Sequence, residues 1–527
     1  MDVAAHYGAV ENSAGGGGIT ASPRNPEDIV NPTSSGREEK LGTESTGLIS
    51  TGSVDKNAPA KEKPPISTRM AIFLVVNYMI GSGILNTPQT FRDSGIAATT
   101  VLYVLACLAV WVGSVVLIKT AEEQENQPPP LTVTVEEGDK GEGGNLGGGI
   151  SAHGKNKYAM LAAESMGDAG PYIVDYVITV QNGGALCSYV VIVGGLATSL
   201  LSELLERLEV APGWWSSFYV VMPVVVFCFV LWPSSWESFN EIVPLAVLSL
   251  GTISCLLVFV IEKWAFPSES VVTAANLAID APLVWWRWSG IFRKVGSVVF
   301  GLTFAPAAFH AYDPMKKRNL TEWKYVVTTS VLVGGAMCYL MGLFGYLSFG
   351  EATEGDILDN FAGGWVATAL KCCVVGHLVC YIPGEAIVLR DSICGLVDVD
   401  KASLGDKGRV VSTFFILAAV VGAVMLLTFL GLAQGEAFGY ILDFTGGVTV
   451  SLASFVLPAY IYLKGSETQY HEGRGAYRLA CKVLFVFGAA LILGVLTSIF
   501  HNPVATVVIC VVVFSGLFWS RATLMAP

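Results

Sequence analysis

Twelve apolar runs divide this chain, each about as long as the 17 to 25 residues a helix needs to cross a bilayer. They lie near 70–91, 97–119, 171–200, 217–233, 242–262, 291–312, 325–349, 365–389, 410–432, 437–463, 477–500 and 503–520. Only His501 and Asn502 separate the last two before Pro503, so eleven or twelve membrane helices are expected. A buried soluble core does not call for so many runs of this length. Composition agrees: 14% of residues are charged, against about a quarter in an average soluble domain.

The charge gathers outside the runs. Residues 1–66 carry nine acids and six bases, and residues 121–158 seven acids and three bases, together −7 of a net −12. Nothing here resembles the basic footprint of a nucleic-acid binder. Residues 1–66, rich in Ser, Gly, Pro and Glu, read as a disordered cytoplasmic tail without a signal peptide, and 67–527 as the membrane domain. Within the latter, 121–157 reads as a flexible cytoplasmic loop, with its "QPPP" and "GEGGNLGGG".

Lys and Arg flank the N-terminal side of the first span and the even-numbered loops, which places these in the cytoplasm. Loop five is discordant, with Lys263, Arg287, Arg293 and Lys294; its Trp285, Trp286 and Trp288 suggest a segment lying on the outer interface. All eleven cysteines fall in or beside spans, so no structural disulfide is expected. The sequon at 319–321 falls in a cytoplasmic loop, where it stays unmodified.

HExxH and GxSxG are absent, and "GISAHGKN" at 149–156 imitates a phosphate loop but offers Asn156 where Ser or Thr must reach magnesium. No catalytic residue, cofactor or bound metal is expected. "NYMIGSGILNTP", residues 77–88, is different, because it sets Gly81, Ser82, Gly83 and Pro88 inside an apolar run. Irregular backbone at membrane depth is tolerated where it is buried in protein or lines a cavity. Two explanations stand side by side: small residues for close helix packing, or a broken helix whose freed amides meet an anionic group. A second interruption, "FGLTFAPAAFHAYDP" at 300–314 in the sixth span, favours the broken helix. Spans one and six head two five-helix halves, and paired interruptions at corresponding places point to a midplane site.

These residues resemble the amino acid/auxin permease family of the amino acid–polyamine–organocation superfamily, above all the system A and system N neutral amino acid transporters. The likeness is carried by "NYMIGSGIL", "VQNGGALCSYVVIV" at 180–193, "FGYLSFGEATEGDIL" at 344–358 and "FTGGVTVSLASFVLPAYIYL" at 444–463, over roughly residues 67–500. The resemblance implies an all-α integral membrane protein with a LeuT-type five-plus-five inverted repeat, helices 1 and 6 broken. It implies ion-coupled secondary transport of small neutral amino acids by alternating access. By position, the substrate carboxylate meets Gly81, Ser82, Gly83 and Ile84, and Asn77 serves the coupling cation; Phe304, and Asn182 if it does not merely pack, are further candidates for the pocket. Where the family offers sodium an eighth-helix hydroxyl, this chain has "GHLVCYIP" at 376–383, with Val379 or Tyr381 nearest. His377 in that stretch reads either as a hydrogen-bonded structural residue or as a proton carrier or cation ligand, since histidine as a residue type titrates near neutral pH; with the hydroxyl missing, protons are favoured over sodium as the coupling ion.

Other polar residues of the spans read less specifically. His310 reads as structural, Glu385 and Asp443 as gate or charge-pair residues, and Gln181 either packs or lines the pocket. Asp175 and Lys119 are expected to snorkel toward the interface. The alternative function is an amino acid sensor built on the transporter fold. The expected partners are a small neutral amino acid and the lipid bilayer, with no nucleic acid, and the chain is expected to act as a monomer. "ESTGLI" at 44–49 fits an acidic-dileucine signal, so both the plasma membrane and a vacuolar or lysosomal membrane are open.

Overall fold

The computed structural model describes residues 64–126, 156–266, 282–361, 364–431, 445–465 and 475–500. The tail up to residue 63 (with the dileucine pattern), residues 127–155 of the loop, Asp443 and the run at 503–520 lie outside the described residues.

Helices follow the apolar runs: α1 (Thr68–Met79), α2 (Gly83–Ser94), α3 (Ile96–Glu125), α4 (Lys157–Met166), α5 (Ala169–Arg207), α6 (Phe218–Ser234) and α7 (Phe239–Ala265). The second half supplies α8 (Trp288–Phe300), α9 (Ala308–Tyr312), α10 (Leu320–Phe349), α11 (Trp365–Leu396), α12 (Gly405–Phe429), α13 (Thr445–Gly465) and α14 (Gly475–Phe500). Among the described residues nine spans are long and apolar enough to cross a bilayer, and α1 with α2 makes a tenth, bent by 57°. The fourth apolar run folds as the shorter α6, whose middle turn, Val226–Val230, widens into a π-helix. The molecule is an all-α, multi-pass membrane protein.

Two halves of five follow one another in opposite orientation. The first holds α1–α2, α3, α5, α6 and α7; the second holds α8–α9, α10, α11, α12 and α13, and each opens with an interrupted helix. The third members, α5 and α11, make the most extensive helix pair. The start of the first broken helix and the end of the second share the N-terminal face: Ile66 N donates to Pro314 O at 2.8 Å and Lys316 N to Ile66 O at 2.9 Å. Residues 64–66, expected within the disordered tail, are therefore fixed against the α9–α10 turn, with Ile66 buried. Likewise α3 runs on to Glu125, so helix replaces the start of the expected flexible loop. Asn156, which spoils the phosphate-loop pattern, instead caps α4, its side chain accepting from Tyr158 N.

On the opposite face α2 turns into α3 at Gly95, whose φ of +88° no other residue adopts easily. The strip 284–287 packs onto this turn, Ile96 N and Ala97 N donating to the Val284 and Trp285 carbonyls. Trp285 of this strip and Trp288, which opens α8, are exposed, as an interfacial segment requires. The cations that broke the loop pattern are largely neutralised. Arg287 pairs with Glu351 at 2.9 Å, and buried Lys294 donates to Gln89 Oε1 at 2.8 Å with Asp93 at 3.7 Å.

Two interior charges differ from expectation. Asp175 is fully buried rather than snorkelling, because α5 crosses α11 at Gly395, where a Cβ would meet Asp175 Oδ2 at 2.1 Å. Lys119 is retained by Glu123 and by the Tyr477 ring 4.9 Å away.

Candidate functional site

At the first break α1 ends at Met79 and α2 begins at Gly83, with Ile80 turning the chain at φ −92° and ψ 79°. Interrupting a helix leaves amides and carbonyls without their usual partners. Gly81 N turns back to Met79 O at 3.2 Å, while Ile84 N reaches Gly81 O at 3.4 Å. Among the described residues no backbone acceptor takes the Ser82 or Gly83 N–H, which sit at the positive end of α2. The Tyr78 carbonyl, which Ser82 N would hold in an unbroken helix, accepts from Tyr381 Oη of α11 at 3.0 Å.

The second break runs from Gly301 to Phe304, followed by a single 3-10 turn, Ala305–Ala307. The two breaks touch. A Cβ on Gly83 would lie 3.6 Å from Gly301 Cα and from the Phe300 ring. Gly81 is tighter still, since its Cβ would come within 2.6 Å of Tyr189 Oη. Packing and freed amides, set out as rival reasons for the glycines, thus operate at the same residues.

Around this junction the polar side chains are buried. Ser82 Oγ meets Ser188 Oγ of α5 at 3.4 Å, and Asn182 Oδ1 accepts from Tyr78 Oη at 3.5 Å. Among the described residues Asn77 Oδ1, Asn182 Nδ2 and Gln181 Oε1 are buried and find no hydrogen-bond partner. His377 Nδ1 meets Ser249 Oγ of α7 at 2.7 Å, and its ring lies 5.8 Å from that of Tyr381. Gly81, Ser82, Gly83, Ile84, Asn77 and Asn182 therefore gather at one place, with His377 at its edge. Phe304 is fully buried, but its ring partner is Trp323 of α10 at 6.3 Å; the aromatic that faces Tyr189 and Gly83 is Phe300. Sequence reasoning passed over Tyr78 and Tyr189, and met Tyr381 only as a stand-in for the family's eighth-helix hydroxyl. Tyr78 and Tyr381 both bond Glu385, and Tyr189 packs edge-on to Tyr381. The signal available was their spacing, since Tyr381 and Glu385 stand one helical turn apart.

On the N-terminal face a cavity of about 860 Å³ opens between α7, α9, α11 and α12, lined by Phe239, His310, Asp313, Arg390, Asp391 and Arg409 among others. His310 Nε2 meets Asp391 Oδ2 at 3.2 Å, so the histidine read as structural links α9 to α11. On the opposite face Arg287 pairs with Glu351, and Arg92 donates a hydrogen bond to the Thr353 carbonyl.

Residues 64–130 and 147–500 match the family model described as transmembrane amino acid transporter protein. The chain belongs to that family. It is 25% identical over 446 residues to the putative sodium-coupled neutral amino acid transporter 11 of Rattus norvegicus, covering 83% of this chain and 86% of the relative. It is 21% identical over 444 residues to vacuolar amino acid transporter 2 of Saccharomyces cerevisiae, covering 79% and 80%. Similar solved structures include a mutant of the Eremococcus coleocola manganese transporter, at 13% identity and a TM-score of 0.47 over 86% of this chain and 92% of that one. The family transports amino acids across membranes, and its members are transporters rather than enzymes.

Proposed function

We propose that this protein is a secondary active transporter of small neutral amino acids, working by alternating access and driven by protons in preference to sodium. The observation that carries this reading is the unpaired Ser82 and Gly83 amides at the contact of two broken helices. A carboxylate seated there satisfies both amides and lies on the positive end of α2. Gly81 and Ile84 shape that seat, and Asn182 Nδ2, buried and unpartnered, remains to hold the substrate's polar head.

The surroundings of the break support a neutral substrate side chain. Among the described residues around the break no Lys or Arg is present to meet an acidic side chain, and the one acid, Glu385, is already engaged by two tyrosine hydroxyls. The relatives named for neutral amino acids and for vacuolar transport support the same class. The vacuolar relative keeps a vacuolar or lysosomal membrane open beside the plasma membrane, with the N-terminal face cytoplasmic.

Sodium needs several oxygen ligands, and Asn77 Oδ1 offers one, but α11 supplies phenol and imidazole instead of an aliphatic hydroxyl. A proton needs one titratable group, and His377 neighbours Tyr381, whose hydroxyl reaches the break. The test is uptake of a panel of radiolabelled amino acids into proteoliposomes under separate proton and sodium gradients. Accumulation of small neutral amino acids under a proton gradient with choline replacing sodium supports the reading. Binding without net flux shows a sensor, and strict sodium dependence overturns proton coupling.

A further inference from the structure

Glu385 is 4% exposed, at the depth of the first break. Tyr78 Oη of α1 lies 2.9 Å from its Oε2, and Tyr381 Oη lies 2.7 Å from its Oε1. The groups around it can be named element by element. Asn182 and Tyr189 come from α5, the latter 3.3 Å from Tyr381 Oη. From α7 comes the ring of Phe239, 6.2 Å from that of Tyr78, with His310 of α9 beyond it and engaged by Asp391. On its own helix, His377 lies two turns away, and Arg390 points instead to the Ser234 and Trp236 carbonyls. Among the described residues no cation pairs with Glu385.

An ionised carboxylate buried at membrane depth without a counter-charge is strongly disfavoured, and such groups neutralise. The hydrogen count points the same way. Tyr381 Oη has one hydrogen but stands within reach of both the Tyr78 carbonyl, at 3.0 Å, and Glu385 Oε1. If that hydrogen goes to the carbonyl, the short contact to Glu385 needs a second one, and a carboxyl proton on Oε1 provides it.

We propose that Glu385 is the binding site for the coupling proton. The proton rides on Oε1 against Tyr381, and Tyr78 and Tyr381 tie it to the broken end of α1: one bonds the carboxyl from α1, the other bonds the α1 carbonyl that the break sets free. Movement of α1 removes Tyr78 and exposes the carboxyl to water; the O–H bond then breaks and the proton passes to that water. This rests on the proton-coupled reading above and moves the proton from His377 to Glu385. His377, engaged by Ser249, is left as a positioning residue between α7 and α11.

The full chain in proteoliposomes tests it with two readouts. A gradient of one pH unit drives about tenfold accumulation when one proton moves with each substrate. We expect wild type and Glu385→Asp to accumulate, His377→Gln to retain its response to the gradient, and Glu385→Gln to fall to equal concentrations inside and out while exchange stays detectable. The second readout is infrared. A protonated carboxyl band at neutral pH should be lost in Glu385→Gln and shifted in Glu385→Asp. Gradient-driven accumulation by Glu385→Gln, or a band unmoved in both variants, overturns the assignment. If Glu385→Gln fails to fold, the shift in Glu385→Asp decides. A wild type that accumulates only under sodium, yet shows the band, indicts the coupling reading; one that accumulates under protons without the band indicts Glu385.

Discussion

Tyr381 Oη donates to the backbone carbonyl of Tyr78 across 3.0 Å, joining α11 to the end of α1. Breaking a helix inside a membrane leaves carbonyls that no water can reach, and here a side chain of the opposite half takes one of them. The same hydroxyl touches Glu385, so backbone repair and the buried acid share one group.

Tyr381→Phe removes that hydroxyl and keeps the ring. An unpaired buried acceptor costs about 1–3 kcal/mol, so the unfolding midpoint in detergent should drop and initial uptake should fall several-fold. Unchanged stability and uptake would show that the break is held by other contacts.

Gly81→Ala places its methyl within 2.6 Å of Tyr189 Oη and should abolish transport. Adding Tyr189→Phe should restore part of it by removing the clashing oxygen. Gly83→Ala meets only ordinary contacts at 3.6 Å and should transport, whereas Gly83→Val, with branches between the two breaks, should be folded but silent. Uptake by the Gly83→Val protein at the wild-type rate would leave the break without a role in binding.

Sidedness is read by labelling in a background freed of reactive cysteines. Glu351→Cys should react with an impermeant maleimide applied outside intact cells, or from the lumen of an internal membrane, and Lys317→Cys only after permeabilisation. Both positions are exposed, on opposite faces. The reverse pattern inverts the orientation drawn from Lys and Arg.

Beyond α10, burial pushes the Asp356 carboxyl up to about 7, with nearby Asp359 adding to the effect. A carboxyl raised on folding favours the folded loop below its ordinary value near 4 and loses that contribution as pH rises through about 7. Hydrogen exchange in residues 350–361 should therefore be slower at pH 5 than at pH 8, after correction for intrinsic rates. Asp356→Asn should remove the difference; its persistence would place the titration elsewhere.

Much of the architecture is legible in the sequence because membrane helices must satisfy their own backbones. Apolar length marks the spans, and Gly and Pro mark where the backbone fails. The resemblance led to Gly81, Ser82 and Gly83, and the geometry gathers them with Asn77 and Asn182. What sequence could not show depends on the crossing of distant helices. Asp175 is sealed in because Gly395 lets two helices meet over it. Phe300 rather than Phe304 faces Tyr189, because rotation along the interrupted stretch follows packing against Trp323. Glu385 stood out only as a charge in an apolar run until two tyrosines, 307 and 4 residues away, converged on it.

The short ladder between Ile66 and Met315 has a mechanical consequence. It clips the start of one interrupted helix to the exit of the other, each by a backbone bond that no side-chain change removes. Two arms that could swing separately are thereby yoked. When the N-terminal mouth widens, the pair must travel as one lever, or the clip must first be unzipped.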